Sequence, residues 1–105
     1  MSFSEITVDE LAGRLERGAV LIDVRQPNEF VEGHVPGAVL IPLNELPDRV
    51  DEVPTGREVL VICRSGGRSA MACELLDEQG LSAVNVVGGT LAWVAAGRAV
   101  DTVAS

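Results

Sequence analysis

The amino-acid sequence predicts an α/β fold in which a mainly parallel sheet carries helices on both faces. Three observations lead there. Aliphatic runs at residues 20–24, 38–41, 59–62 and 84–87 are short and nearly continuous, as in strands buried on both faces, rather than alternating as in a sheet with one wet face. Segments with helical spacing of apolar residues fall between them, and such alternation sets strands side by side in one direction. Glycine or proline stands at nearly every change of element.

The elements follow in order. Thr7-Val-Asp-Glu10 has the form of a capping box ahead of Leu11 and Leu15, which predicts a short helix ending at Gly18. Residues 20–24 are a buried strand. Pro27 fits the first position of a brief helix carrying Glu29, Phe30 and Val31 and closed by Gly33. His34-Val-Pro-Gly37 is a turn leading into the strand 38–41, which Pro42 stops. Leu43, Leu46 and Val50 predict another short helix, broken near Pro47. Four aliphatic residues in succession at 59–62 give the clearest strand. Ser69, Ala72, Cys73 and Leu76 recur at i, i+3, i+4 and i+7 and so share one face of a helix that Gly80 ends. Residues 84–87 form the last strand and Gly88-Gly89 a turn. Leu91, Trp93, Val94 and Ala95 mark the last helix, anchored by Trp93 and ending before Gly97. In sheets of this kind ligands bind beyond the carboxyl ends of the strands. Here that edge holds Arg25, Pro42, Cys63 with the loop after it, and Gly88-Gly89.

Composition narrows the function. A chain of 105 residues is the size of one domain, and its 47% hydrophobic and 23% charged content is that of a globular protein. No apolar run approaches the roughly 18 residues of a membrane span. The start, MSFSEITVDE, lacks the basic residues and apolar stretch of a secretory signal, so a cytoplasmic protein away from membranes is expected. Its two cysteines should then be thiols, and a Cys63–Cys73 bridge would deform both loop and helix. Sixteen acidic residues against eight arginines give a net charge of −8, and lysine is absent. That removes a Schiff-base lysine and the lysine of a phosphate-binding P-loop, and a polyanion such as nucleic acid would be repelled. One histidine cannot build a multi-histidine metal site, and two cysteines alone under-coordinate zinc. No metal or other cofactor is expected.

Chemistry concentrates in Cys63-Arg64-Ser65-Gly66-Gly67-Arg68-Ser69, between the clearest strand and a helix. Gly66 and Gly67 permit positive φ, so successive N–H groups can turn toward one point and make an anion-binding nest. The helix start adds unsatisfied donors and the positive end of its dipole. Arg64 and Arg68 bring full charge, and no acidic residue occurs from 59 to 73, so a local charge of +2 sits inside an acidic chain. A thiol there should be unusually acidic, exposed and nucleophilic. Cys73, on the apolar helical face, is expected to pack in the core. His34 is expected to bond to backbone, and Asp23, Arg25 and Glu29 to form an ion-pair and capping network.

The segments LIDVRQPNEFVEGHVPGAVLIPL, CRSGGRS and GGTLAW, in that order across residues 5–100, resemble the single-domain rhodanese family of sulfurtransferases. The resemblance implies one rhodanese-like domain over residues 1–105 with a five-stranded parallel sheet and helices on both faces. It also implies a chemistry: a loop cysteine takes a sulfane sulfur from a thiosulfate-type donor, holds it as a persulfide and passes it to a thiophilic acceptor such as cyanide or a thiol. By position Cys63 bears the persulfide, Arg64, Ser65, Gly66, Gly67 and Arg68 form the cradle, and Ser69 starts the helix behind it. The implied partners are a small anionic sulfur donor and a thiol or protein acceptor, with the chain a monomer or homodimer. The departing sulfite of thiosulfate is an anion that Arg64 or Arg68 could attract. Another reading of the same cysteine is a persulfide carrier, or a sulfur- or redox-sensing module that acts on a protein partner. Cysteine-dependent phosphatases of related fold place five residues between nucleophile and arginine, whereas four separate Cys63 from Arg68. The smaller cradle suits a terminal sulfur better than a tetrahedral phosphate.

Overall fold

A computed structural model describes residues 3–103. The chain runs β1 (Ser4–Ile6), α1 (Val8–Glu16), β2 (Val20–Asp23), α2 (Pro27–Glu32), β3 (Val39–Leu40), two 3-10 turns (Leu46–Asp48 and Val50–Glu52), β4 (Val59–Ile62), α3 (Gly67–Glu78), β5 (Val84–Val86) and α4 (Gly89–Ala95). The strands are ordered β1-β5-β4-β2-β3, and every pairing among the described residues within the sheet is parallel. The five-stranded α/β sheet with helices on both faces is therefore as expected. All strand ends that lead into α2, α3 and α4 lie on one edge.

Strand geometry divides the core into two layers, because successive side chains point to opposite faces. Along β4 and just beyond it, Val59, Val61 and Cys63 pack with Ala72, Cys73 and Leu76 of α3 and with Leu46 and Val53 of the connection before β4. Leu60 and Ile62 face the other way, onto Val8 and Leu11 of α1 and Trp93 of α4. Both faces of β4 are fully buried, which explains its unbroken aliphatic sequence. Cys73 and Trp93 sit in the core as expected, and the Trp93 indole N–H donates to the Ala99 carbonyl at 2.9 Å.

Four local expectations are corrected. β1 was not foreseen, because in Ser4–Ile6 only Ile6 is buried and three residues are too few for a period to show. Thr7 caps α1 by position, but its side chain makes no capping bond, and the Glu10 carboxylate turns to Arg14 instead. The reaching-back carboxylate occurs at α2, where Glu29 accepts the Gln26 backbone N–H at 3.1 Å. The helix expected near residues 43–50 is reduced to the two 3-10 turns, since Pro47 lacks the N–H and blocks the turn that a continuing α-helix needs. β3 spans two residues rather than four.

The end of β2 is fixed by a buried ion pair. Asp23 and Arg25 are 0% and 5% exposed; the Arg25 Nε and Nη2 both donate to the carboxylate, and Nη2 also reaches the Gly33 carbonyl at 2.8 Å. The expected network thus ties β2 to the end of α2. Removing one member of such a pair strands a buried charge, whereas replacing both with apolar groups can be nearly neutral. Arg25→Met should lower the unfolding free energy by about 3 kcal/mol, and adding Asp23→Leu should restore most of it, as read by denaturant titration.

Candidate functional site

The site begins where β4 leaves the sheet. Cys63 continues the alternation of Val59 and Val61, so its side chain turns into the α3 layer and the residue is 1% exposed. The expectation of an exposed sulfur is corrected: Sγ lies beneath the loop, not on it. Above it the backbone folds over through Gly66, whose φ of 115° and ψ of −11° are closed to most side chains. That conformation brings the Gly66 N–H to 3.1 Å from Sγ, and the buried Ser69 hydroxyl donates to the same atom at 3.3 Å. Gly67 was also expected to offer positive φ; it is instead the first residue of α3, and only Gly66 of the pair is left-handed.

Two effects compete for the thiol. Burial pushes the Cys63 pKa up, but the Ser69 hydroxyl and the amides of Ser69, Gly66 and Ser65 favour the thiolate and together hold it below its ordinary value. Cys73 shows what burial does without donors: with the Glu5 charge adding to it, its thiol is pushed up to about 12.

Helix α4 holds the loop from the other side. The Cys63 carbonyl accepts the Thr90 N–H at 2.9 Å and the Thr90 hydroxyl at 3.0 Å, and the Arg64 carbonyl accepts the Leu91 N–H at 3.0 Å. This approach requires Gly89, at φ 58°, because a Cβ there would lie 2.5 Å from the Cys63 oxygen and 2.6 Å from that of Arg64. The sequence marks Gly88-Gly89 as a turn at the right edge, but the contact across 26 residues is not written in any local pattern.

The arginines divide their work. Arg68 donates twice to Glu29 of α2, at 2.7 and 3.0 Å, so the local charge of +2 is partly neutralised. The Arg68 hydrogen bond holds the Glu29 carboxyl down at about 2, from an ordinary 4.5. Its folded pKa being depressed, this pair contributes its full stability above pH 4.5 and loses it as pH falls through about 2. Arg64 is exposed and forms no ion pair among the described residues. It lines a cavity of about 440 Å³ with Arg25, Glu29, Thr90, Leu91 and Val94. Ser65 on the loop and Gly67 at the start of α3 are exposed. His34 behaves as expected: its Nδ1–H donates to the Phe30 carbonyl at 2.8 Å and its ring stacks on Phe30 at 3.7 Å.

A strand that ends in a cysteine, a left-handed glycine over its sulfur and a helix start behind it now stand beside the family comparison. The rhodanese-like domain family matches residues 7–96. The chain belongs to that family. Relatives of this rhodanese-like domain include a sulfurtransferase of Allochromatium vinosum, 40% identical over 93 residues that cover 86% of this chain and 87% of that one. The thiosulfate sulfurtransferase GlpE of Pseudomonas syringae pv. syringae is 34% identical over 92 residues, 87% of each chain. The crystal structure of a rhodanese-like domain protein from Staphylococcus aureus superposes with a TM-score of 0.87 at 33% identity, covering 97% of this chain and all 100% of that one. The sulfurtransferases among these relatives make this a rhodanese-like domain of the sulfurtransferase family. Among the described residues no helix is long and apolar enough to cross a membrane.

The geometry makes the acidity of the thiol measurable. Alkylation by iodoacetamide should follow a midpoint below the roughly 8.5 of a free cysteine, and Ser69→Ala should raise that midpoint by about one unit. A midpoint in the wild-type protein at or above that of a free thiol would remove the basis for the site.

Proposed function

We propose that this rhodanese-like domain is a sulfurtransferase that moves a sulfane sulfur from a thiosulfate-type anion to a thiophilic acceptor through a persulfide on Cys63. The observation that carries the reading is the convergence of the Gly66 N–H and the Ser69 hydroxyl on the Cys63 sulfur, at 3.1 and 3.3 Å. Donors so placed stabilise negative charge on sulfur, which is the form that attacks and the form in which a persulfide rests at neutral pH. The relative named a thiosulfate sulfurtransferase supports the choice of donor.

In the first half-reaction the Cys63 thiolate attacks the outer sulfur of thiosulfate. A Cys63 S–S bond forms, the S–S bond of thiosulfate breaks, and sulfite departs with the electron pair. Arg64, exposed at the cavity mouth beside Arg25, is the charge that draws the dianion in and steadies the leaving sulfite. In this reading Arg68 holds the cradle through Glu29 rather than gripping the anion. Because Cys63 lies below the loop, the incoming sulfur enters through the ring of Ser65, Gly66 and Gly67. In the second half-reaction cyanide or a thiolate attacks the terminal sulfur, takes it as thiocyanate or a new persulfide, and returns the Cys63 thiolate. Neither half-reaction needs a cofactor or an outside oxidant, and neither needs a general acid because every leaving group departs as an anion. We place the whole activity in a single domain spanning residues 1–105, in the cytoplasm.

Incubation with thiosulfate should add about one sulfur mass to Cys63 and none to Cys73, whose thiol stays protonated. Cyanide should then release it as thiocyanate; Cys63→Ser should abolish turnover and Cys73→Ser should keep most of it. Mass spectrometry that finds Cys63 unmodified under excess thiosulfate would overturn the donor. Sulfur that loads and resists cyanide would favour a persulfide carrier or sensor acting on a protein partner.

A further inference from the structure

Asn85 interrupts an otherwise aliphatic strand, at the centre of β5 between Val84 and Val86, and it is 2% exposed. A buried amide in such a place costs desolvation unless its groups are paired. Its Nδ2 makes two bonds, to Glu5 Oε2 at 2.9 Å and to the Gly66 carbonyl at 3.3 Å. Both partners can only accept, so the amide orientation is fixed and the NH2 group must face them. Its Oδ1 finds no partner among the described residues. The side chain is thus kept for its donors, and the donors converge on the residue that shapes the nest.

Gly66 is the hinge of that nest. Its N–H meets the Cys63 sulfur at 3.1 Å while its carbonyl is held by Asn85 and by the Ala70 N–H, the latter at 3.1 Å. A glycine at φ 115° has no side chain to limit its rotation, so something outside it must hold the two peptides that flank it. In a trans peptide the C=O and the next N–H point in opposite directions. Pinning the Gly66 carbonyl toward β5 therefore turns the Gly67 N–H away from β5, among the free donors at the start of α3. Glu5 stands in register with Asn85 across the β1–β5 pair, so it orients the amide from the outer strand.

We propose that Asn85, oriented by Glu5, is a positioning residue that fixes the Gly66 backbone and so aims the loop donors at the Cys63 sulfur. The inference deepens the sulfur-transfer reading and takes its significance from it. It extends the site from the loop to β5 and β1, at the far edge of the sheet from β3.

The test reads the thiol directly. Asn85→Asp keeps the shape but sets an acceptor against two acceptors, and Asn85→Leu keeps the bulk without donors. In both, the midpoint of the pH dependence of Cys63 alkylation by iodoacetamide should rise by about one unit, a tenfold loss of rate at a fixed pH below it. Asp23, Glu29, Arg64 and Arg68, the charged groups around the loop, are the same in every variant. Variants that fold, by circular dichroism and denaturant midpoint, yet keep the wild-type alkylation profile would overturn the proposal. Should neither fold, Glu5→Ala decides, since Glu5 is exposed. Losing its negative charge alone would move the midpoint down, so a rise that Glu5→Gln reverses isolates the hydrogen bond. A midpoint that stays or falls in Glu5→Ala overturns the proposal. Alkylation is independent of sulfur transfer; a wild-type protein that alkylates as expected but takes no sulfur from thiosulfate would count against the proposed activity instead.

Discussion

A sulfur atom at the end of a buried strand has little reason to be charged, because leaving water disfavours the anion. At Cys63 that penalty is offset by donors that a single left-handed glycine and the first turn of a helix turn onto it. Most of the surrounding architecture can be understood as what this arrangement requires. The parallel sheet brings the ends of β2, β4 and β5 to one edge, α4 sets its own N–H groups on the Cys63 and Arg64 carbonyls, and α2 reaches the start of α3 through Glu29 and Arg68. Cys73 lies in the same layer of the core and has none of these partners. The contrast in the two thiols comes from hydrogen bonding at Cys63, with the Glu5 charge adding to burial at Cys73, rather than from depth.

Much of the fold was legible because burial writes itself into sequence as period. Residues 59–62 could hardly be anything but a strand buried on both faces, and Pro27, Gly80 and Gly88-Gly89 stand where elements change. What failed was short or depended on competition. Ser4–Ile6 is too brief to show a period and is a strand only because β5 offers it partners. The Thr7 capping pattern lost its carboxylate to Arg14, a rival about one turn beyond the pattern's end, which no local motif takes into account.

The loop itself was equally legible in its residue types and less so in its geometry. Cysteine, glycine and arginine at those spacings point to an anion nest, yet which glycine bends and which arginine faces inward depend on neighbours distant in sequence. Glu29, 39 residues before Arg68, claims that guanidinium and leaves Arg64 to face the cavity. Asn85 carried one signal, a polar residue inside an aliphatic strand, and its partners appear only when β1, β5 and the loop are brought together. The burial of Cys63 follows from the same alternation that made β4 recognisable, continued one residue further.

The outermost strands of the sheet are short, with three residues in β1 and two in β3. A strand of that length leaves few unpaired N–H and C=O groups on its outer side, and so offers little template on which a foreign chain could add itself. With a net charge of −8 spread over so small a surface, neighbouring molecules also repel. The consequence is colloidal: short outer strands and a shared negative charge both oppose edge-to-edge joining of sheets between molecules.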